Sequence, residues 1–334
     1  MVICGDMTGL RHIQGKCAEF GYYPAMPDRI RERFVTGLLI CLLCGSMFIG
    51  CAPTAPPAPA TQPAARLAAA GIRYWLVTRQ VPRPLRIHHL QVDLSNPHVE
   101  LAPILAADPD GVGPATAELT SPVLLAQRAS ALALVNCNPW QGIADAAGKR
   151  STNWHEGMPV QILGLAAAQG DLRNAPADPT YCSIWIDLAG KPHIGRPANI
   201  AAVRDGIAGF LQLLRDGKLT QTPGGPIHPR TALGLDAGGR NLYLVVVDGR
   251  QPGYSEGVSL FELATYMREL GCQDAVNLDG GGSSVMLMAT GEGSYRVMND
   301  PSTKVAGLSV LRPIPIALAL RNRPAQMPAT GPRP

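Results

Sequence analysis

The sequence predicts an α+β fold in which helices pack against a mixed, twisted β-sheet. Short segments with apolar residues at alternating positions indicate strands, and a few segments have helical spacing. Strands and helices do not alternate strictly, which favours a mixed sheet over a doubly wound one. Because 46% of the 334 residues are hydrophobic, the chain can bury a substantial core, and we expect a single large domain.

The first 50 residues are predicted to be a leader and a signal peptide. The basic stretch "DRIRERF" (28–34) precedes the apolar run "VTGLLICLLCGSMFI" (35–49), which is short for a bilayer span. "FIGC" resembles a bacterial lipobox, which implies that Cys51 is lipidated. An uncleaved membrane anchor is the alternative. Both interpretations export the domain to a bacterial cell envelope, where it faces the periplasm or the surface with the membrane as a partner.

Composition sets the remaining boundaries. The Pro/Ala-rich stretch after Cys51 is typical of an extended spacer, so residues 51–69 are predicted to be a lipidated linker. The folded domain is expected over residues 70–318. The tail, 319–334, is again rich in proline and is predicted to be disordered.

Charge and cysteine content narrow the class of function. A net charge of +4, without a long basic run interleaved with aromatic residues, argues against nucleic acid as a partner. Within the domain, Cys137, Cys182 and Cys272 have no metal-site spacing. In an oxidising compartment they allow one disulfide and one buried thiol, and the pairing stays open.

The first half of the domain is predicted to consist mainly of strands, at residues 72–79, 85–94 and 99–106. Residues 121–131 have helical spacing, with Ser121 as a candidate N-cap and proline in the first turn. "LALVN" follows and is typical of a buried strand that ends at Asn136.

The second half continues with a strand and a glycine turn in "CSIWIDLAGK" (182–191). Residues 201–214 have the apolar spacing of a helix. "TALGLDAGGRNLYLVVVDG" (231–249) indicates two strands joined in a hairpin.

The clearest helix signal lies in residues 259–271. Ser259 and Glu262 fit a capping box at its start, and Gly271 fits its end. "AVNLD" then returns as a short buried strand whose last residue is Asp279.

The loop "NLDGGGSSVM" (277–286) is the first candidate site. Glycine lets the backbone approach a ligand, and successive amides can point at an anion. A P-loop lysine is missing, and the spacing is not that of a Rossmann fingerprint. A tight structural turn capped by its carboxylate is the alternative. The candidate carboxylate is Asp279, and the candidate binding residues are Gly280, Gly281, Gly282, Ser283 and Ser284.

The second candidate cluster is "PIHPRTALGLD". Arg230 opens a buried strand, where its guanidinium can bind a phosphate or carboxylate in bidentate fashion. Thr231 follows it as a binding candidate. His228 is a candidate acid or base, with an ordinary surface histidine as the alternative.

Two further polar segments are candidates because loops at strand ends often carry function. "VNCNPW" supplies side-chain amides for sugar hydroxyls, with an Asx-turn beside a core tryptophan as the alternative. The loop 248–256 lies between a strand and a helix. The binding candidates in these segments are Asn136, Asn138, Asp248, Arg250, Tyr254 and Ser255, together with the acidic residue Glu256.

Three segments together resemble the phosphodiester glycosidase domain family: "HPRTALGLD", "LVVVDGRQPGYSEGVSLFELATYMRELGC" and "DAVNLDGGGSSVM". The resemblance covers about residues 226–290 in order and spacing. It implies a single phosphodiester-glycosidase-like domain that acts on a phosphorylated glycan or sugar phosphodiester. Upstream, "LALVNCNPW" keeps Asn136 of an Asn-Gly-Gly-Phe type segment but lacks its glycines. Downstream, Lys304 stands near where an arginine is common.

The resemblance also implies roles for individual residues. Asp279 is the first candidate for a general base or nucleophile facing the sugar, and Glu256 is the second. Arg230 and the glycine-loop amides would stabilise the phosphate. No cofactor is certain. A divalent cation held by Asp279 and nearby oxygens is compatible with the sequence, although no ligand cluster demands one, so the metal ligands stay unknown.

Two functions from different classes are therefore open. The first is an exported glycosidase that cleaves sugar-1-phosphodiester linkages of an envelope or extracellular glycan. The second is a non-catalytic lipoprotein that binds glycan or assists exopolysaccharide assembly. The presence of Asp279, Arg230 and Asn136 favours catalysis, whereas the missing glycines after Asn136 favour divergence.

Overall fold

A computed structural model describes residues 61–291 and 293–324 of the protein. The helices in this part are α1 (Thr61–Ala69), α2 (Pro122–Arg128) and α3 (Leu260–Glu269). Short 3₁₀ turns form at Ile200–Ala202 and Gly281–Ser283. The strands of the first half are β1 (Ile72–Arg79), β2 (Leu85–Asp93), β3 (Val99–Leu105), β4 (Ala117–Glu118), β5 (Ala133–Asn136), β6 (Trp140–Gly142), β7 (Pro159–Ile162), β8 (Ala166–Ala168), β9 (Asp171–Asn174), β10 (Cys182–Asp187) and β11 (Pro192–Ile194). Those of the second half are β12 (Val203–Gly209), β13 (Leu211–Arg215), β14 (Lys218–Leu219), β15 (Arg230–Asp236), β16 (Asn241–Val247), β17 (Cys272–Asn277), β18 (Met286–Gly291), β19 (Ser294–Val297), β20 (Lys304–Val305), β21 (Leu308–Ser309) and β22 (Ile316–Asn322).

These strands form three larger sheets and two small ones. The largest has seven strands in the order β1-β2-β16-β15-β17-β13-β14. Two five-stranded sheets have the orders β11-β10-β12-β8-β9 and β19-β18-β5-β22-β3, and the small ones are β4-β7-β6 and β20-β21. All pairings between these strands are antiparallel, so the predicted mixed sheet is wrong. The α+β class holds coarsely, with strands predominating over short helices.

The main core joins the seven-stranded sheet to the sheet that contains β5. Leu233 and Val276 of the first sheet belong to the same buried cluster as Leu134 and Leu318 of the second. All four residues of β5 are buried, because this strand lies between β18 and β22. Packing of the two sheets therefore fixes where their strand ends meet.

Helix α3 confirms the predicted capping box. The Ser259 hydroxyl accepts the Glu262 amide hydrogen at 3.2 Å, and the Glu262 carboxylate accepts that of Ser259 at 2.8 Å. Gly271 follows the helix at φ 91°, as expected for a helix end. Leu263 and Met267 pack against β13, β15 and β17 in a second buried cluster.

Other local predictions hold, several of them with slightly different bounds. Strands β1, β2, β3, β5 and β10, the β15–β16 hairpin and helix α2 form where the patterns indicated them. Ser121 lies at the N-cap of α2, but its side chain makes no capping hydrogen bond. Strand β17 ends at Asn277, so Asp279 lies in the loop beyond it.

The helix predicted at 201–214 is wrong, since this segment forms β12 and β13. Two glycines explain the difference. A Cβ on Gly206 would lie 2.6 Å from the Leu165 side chain, and one on Gly209 would clash with the Asn277 carbonyl. Glycine therefore allows close approach between neighbouring strands here, whereas it is unfavourable inside a helix.

The predicted domain boundaries are also corrected. Helix α1 occupies 61–69, where a linker was predicted, and its Leu67 is buried in the main core. Strand β22 continues to Asn322, so 319–322 belongs to the sheet and not to a disordered tail. Residues 1–60, including Cys51, and 325–334 lie outside the described residues.

Cys137, Cys182 and Cys272 are free thiols, so the disulfide that the sequence allowed does not form among them. Burial raises the pKa of the Cys182 thiol to about 11 and that of Cys272 to about 12. Among the described helices, none combines the length and apolar character needed to cross a bilayer.

The capping box gives a testable stability difference. Ser259→Ala should lower the free energy of unfolding by about 1 kcal/mol, because the α3 amides lose their acceptor. Ser121→Ala is the matched control. It should change the free energy by less than about 0.5 kcal/mol, because that hydroxyl caps nothing. Urea denaturation measures both, and equal losses would contradict the assignment.

Candidate active site

The candidate site lies where strand ends from two sheets meet. In the seven-stranded sheet, Arg230 opens β15 opposite Val247 at the end of β16, and Ala232 pairs with Asn277 at the end of β17. Strand β5 of the other sheet ends nearby at Asn136. The glycine loop, 278–285, connects β17 to β18 and so carries the chain from one sheet to the other.

The side chain of Asn136 joins these elements. Its amide nitrogen donates to the Asp279 carbonyl at 2.6 Å. Its oxygen accepts the Thr231 hydroxyl at 2.8 Å and the Val285 amide at 3.0 Å. Asn136 and Thr231 are both buried. The two residues predicted to bind substrate therefore position the carboxylate loop instead.

Asn138, two residues further along the chain, also uses its side chain to hold backbone groups in place. Both of its amide hydrogens are used, by the carbonyls of Leu163 at 3.0 Å and Leu165 at 2.8 Å. Its oxygen accepts the Ala208 amide at 3.0 Å. The predicted bonds from this side chain to sugar hydroxyls are not supported, because its donors already hold the β8 and β12 region together.

Asp279 combines a fixed backbone with a perturbed carboxyl group. Its amide donates to the Cys137 carbonyl at 2.7 Å, and its carboxylate accepts the Gly280 amide at 2.9 Å. Burial raises the pKa of Asp279 to about 6, against the opposing effects of Ser283, the Gly280 amide and Arg312. A carboxyl group with this pKa exchanges its proton near neutral pH.

The backbone amides of the glycine loop were predicted to bind an anion, but most of them donate to groups of the protein itself. The amides of Gly281, Ser283 and Ser284 donate to the carbonyls of Pro229, Gly280 and Gly281. These three amides are therefore engaged within the protein. Gly280 donates to the carboxylate of Asp279, as the structural-turn alternative required.

Instead, the glycines make room for two guanidinium groups. A Cβ on Gly281 would lie 3.2 Å from Arg250 Nη1, and its φ of 61° is itself suited to glycine. A Cβ on Gly282 would clash with the Arg312 guanidinium and the Thr303 hydroxyl. The loop thus lies directly against positive charge.

A third guanidinium and a histidine complete the basic cluster. Arg230 donates to the carbonyls of Val258 at 3.2 Å and Pro226 at 3.1 Å. Arg250 Nη2 lies 3.4 Å from His228 Nδ1. Burial and the nearby Arg250 lower the pKa of Arg230, and burial, Arg250 and Arg230 lower that of His228.

The arginines of this cluster carry uncompensated charge. None of Arg230, Arg250 and Arg312 forms an ion pair with a carboxylate within the described ranges. Burial lowers the pKa of Arg312, although Asp279 acts to raise it. Such a cluster attracts an anion, because an anion would relieve the repulsion between the guanidinium groups.

The loop 248–256 is held in place by hydrogen bonds of two buried side chains. The buried Asp248 carboxylate accepts the Asp300 amide at 2.9 Å and lies 3.3 Å from His88 Nε2. The buried Ser255 hydroxyl donates to the Asp248 carbonyl at 2.7 Å and accepts the Arg86 amide at 3.0 Å. Asp248 and Ser255, predicted to bind substrate, therefore hold the loop that presents Arg250.

Tyr254 and Glu256 occupy the more open part of this loop. The Arg86 guanidinium lies over the Tyr254 ring at 4.9 Å from its centroid. The Glu256 carbonyl accepts the Arg250 amide at 3.1 Å. Its carboxylate is half-buried and makes no hydrogen bond to another described residue, so Glu256 stays the second candidate for the acidic role.

Buried polar atoms that lack a hydrogen-bond partner are concentrated beside the glycine loop, 278–285. Six buried side-chain polar atoms lack a hydrogen-bond partner in the described part of the chain. Three of them belong to the glycine loop, the strand before it or the arginine against it: Asn277 Oδ1, Ser284 Oγ and Arg312 Nε. Buried polar atoms without partners are rare, so three of them around one loop give that loop unused capacity to hydrogen-bond a ligand.

Arg312 and Trp154 were missed from sequence. The Arg312 guanidinium stacks on the Trp154 ring at 3.9 Å from its centroid and donates to Thr303 at 3.4 Å. Arg312 lies eight residues beyond Lys304, near whose position an arginine is common in the family that the sequence resembles. Trp154 lies in an irregular loop whose neighbours no local pattern indicates.

The groups around Asp279 do not fit a divalent cation. Its carboxylate accepts the Gly280 amide hydrogen and is under the charge of Arg312, whereas Mg²⁺ and Ca²⁺ prefer several oxygen ligands. Nor do the described residues contain a group of three or more His, Cys, Asp or Glu side chains placed to hold a metal ion. This donor set suits an anion.

Two cavities lie away from the cluster. One of about 810 Å³ is lined by Leu67 of α1, Tyr74 of β1 and Met288 of β18. Another of about 180 Å³ lies between α3 and the edge of the seven-stranded sheet, beside Phe261 and Tyr266. Neither is lined by Asp279 or the three arginines. The site is therefore assigned by its buried carboxyl group and its unpaired guanidinium groups.

A carboxylate of raised pKa beside unpaired arginines is typical of a site for an anionic substrate. Residues 186–321 match the family model described as phosphodiester glycosidase, which confirms the resemblance seen in the three sequence segments. No curated protein sequence matches the chain.

Solved structures support the same fold. The catalytic domain of zebrafish N-acetylglucosamine-1-phosphodiester alpha-N-acetylglucosaminidase, auto-inhibited by pro-peptide, matches with a TM-score of 0.56 and 21% identity, over 75% of this chain and 82% of that chain. A hypothetical protein from Synechocystis matches with a TM-score of 0.49 and 16% identity, over 76% of this chain and 62% of that one. A protein from Burkholderia pseudomallei K96243 also scores 0.49, at 18% identity over 71% and 74%. The shared fold rests on the zebrafish domain, because scores below 0.5 do not establish it.

The raised pKa of Asp279 predicts a pH-dependent cost to stability. The pKa of this carboxyl group is 3.8 at its ordinary value and about 6 in the folded protein, so ionisation opposes folding as the pH rises between these values. Asp279→Asn should gain about 1–3 kcal/mol in free energy of unfolding, relative to wild type, between pH 4 and pH 7. Denaturant unfolding at each pH measures the difference.

Asp178→Asn is the control for this measurement. Hydrogen bonds from Thr180 lower the pKa of Asp178, so that carboxylate is ionised in both states above about pH 5. Its difference from wild type should be constant from pH 5 to pH 8. A constant difference for Asp279→Asn over the range from pH 4 to pH 7 would contradict the raised pKa.

Proposed function

We propose that the protein is an exported glycoside hydrolase that cleaves sugar-1-phosphodiester linkages of an envelope or extracellular glycan. The observation that carries the proposal is the Asp279 carboxyl group, with a pKa of about 6, beside three arginines that lack carboxylate partners in the described ranges. The family match over residues 186–321 supports the same reaction class.

The chemistry suits this arrangement. The phosphodiester carries one negative charge, which Arg230 and Arg250 would bind. Cleavage breaks the bond between the anomeric carbon and the phosphate oxygen, and positive charge develops on the sugar ring. The departing phosphate monoester takes both electrons of that bond and is a good leaving group, so no strong general acid is needed.

Asp279 would act on the sugar side of this bond. Its ionised carboxylate either attacks the anomeric carbon or removes a proton from the attacking water. In either course, the water oxygen ends on the sugar and its hydrogens are shared between the new hydroxyl group and the solvent. His228 Nδ1 accepts from Arg250 Nη2 at 3.4 Å and would orient that guanidinium, and burial with the two nearby arginines lowers the pKa of His228.

Turnover tests the proposal directly. Full-length protein is incubated with a panel of sugar-1-phosphodiesters, and released sugar is measured. Asp279→Asn should lower kcat by about 10²–10⁴-fold with the fold retained, because the base or nucleophile is lost. Arg230→Ala should mainly raise KM, since the phosphate is bound before and during reaction. No wild-type turnover, together with glycan binding that survives Asp279→Ala, would favour the non-catalytic alternative.

The pH profile tests the role of Asp279 separately. Because the ionised carboxylate reacts, kcat/KM should rise with pH through about 6. Arg312 lowers the pKa of Asp279, so Arg312→Gln should move this rise to higher pH. Arg250→Gln is the matched control and should raise KM without moving the rise. An unmoved profile in Arg312→Gln would contradict the assigned electrostatics.

We also propose that Cys51 carries the lipid that anchors the domain in a bacterial envelope, with the domain facing the periplasm or the surface. The basic stretch, the apolar run and "FIGC" in the sequence support this. Expression with radiolabelled fatty acid should label the wild type and not Cys51→Ser. Label that persists in Cys51→Ser would contradict lipidation at this position.

A further inference from the structure

Trp154 is a large aromatic residue held at the surface beside the candidate site. It lies in the connection between β6 and β7 and is 37% exposed. The Arg312 guanidinium covers its ring at 3.9 Å, and Trp140 meets it edge-on with ring centroids 6.1 Å apart and planes at 89°. These contacts fix the indole plane and leave part of the ring accessible to a ligand.

Arg312 places this indole on the carboxylate side of the site. It is the arginine whose charge acts on Asp279, and it lies against Gly282. Arg250, in contrast, lies against Gly281 and beside His228. The site therefore has two ends, one with Trp154 and Asp279 and the other with the remaining arginines.

The two ends correspond to the two halves of a glycosyl phosphodiester. The carboxylate must reach the anomeric carbon, so the sugar ring lies at the Asp279 end. The phosphate and its second substituent then extend towards Arg250 and Arg230. Arg312 covers one face of the indole, so the exposed part of the Trp154 ring is the surface that remains for the C–H groups on one side of a pyranose ring.

We propose that Trp154, held in place by Arg312, is the stacking platform for the pyranose ring whose bond to phosphate is cleaved. This inference rests on the proposed function. Arg312 Nε and Trp140 Nε1, on the two side chains that contact the Trp154 ring, are buried donors without partners among the described residues. The platform is a specificity determinant outside residues 186–321, the segment that matches the family model.

Binding measurements separate the two ends of the site. Saturation-transfer NMR and titration with full-length protein use methyl pyranosides as the sugar probe and diethyl phosphate as the phosphate probe. Trp154→Ala should weaken pyranoside binding at least tenfold and leave diethyl phosphate binding unchanged. Trp154→Phe, which keeps an aromatic face, should lose less than threefold. Arg250→Gln should show the opposite selectivity.

Trp185→Ala is the matched control, because Trp185 stacks on His193 in another sheet. It should leave both probes unaffected. Pyranoside binding that is absent in the wild type, or unchanged in Trp154→Ala, would overturn the platform. So would a loss confined to diethyl phosphate, which would place the indole at the leaving-group end. Trp154-dependent pyranoside binding without turnover of any phosphodiester would support the platform and refute only the hydrolase proposal.

Discussion

The carboxamide of Asn136 is the constraint on which the site depends. It joins the end of β5 to β15 and to both ends of the glycine loop, through buried bonds with Thr231, Asp279 and Val285. These elements belong to two different sheets, so the packing of the sheets sets the position of Asp279. The loop can therefore be rich in glycine without leaving its carboxylate free to move.

The same loop allows positive charge to gather around that carboxylate. Gly281 and Gly282 have no side chains to keep Arg250 and Arg312 away. These arginines lack carboxylate partners within the described ranges, and burial together with the nearby charge of Arg250 lowers the pKa of Arg312, so the guanidinium groups repel one another. A bound phosphodiester would relieve this repulsion, so affinity for an anion and strain in its absence have the same physical origin.

The sequence correctly predicted the elements that are determined by residues close together in the chain. The capping box of α3 and the β15–β16 hairpin each depend on neighbouring residues, and each forms as expected. The helix at 201–214 failed because Gly206 and Gly209 serve contacts with distant strands. Asn136 was predicted to bind the sugar, because an asparagine at a strand end gives the same sequence pattern whether its side chain contacts a sugar or the protein backbone. Arg312 and Trp154 meet only through tertiary packing, so no spacing could reveal them.

The central claim is that Asp279 either attacks the anomeric carbon or activates the water that does so, while the arginines bind the phosphate. Hydrolysis of a sugar-1-phosphodiester in ¹⁸O-labelled water, followed by mass analysis of both products, tests this claim most directly. The account predicts that the label appears in the anomeric hydroxyl group of the released sugar and that the phosphate monoester is unlabelled. Label in the phosphate monoester would mean that the phosphorus–oxygen bond is cleaved, and would contradict the account.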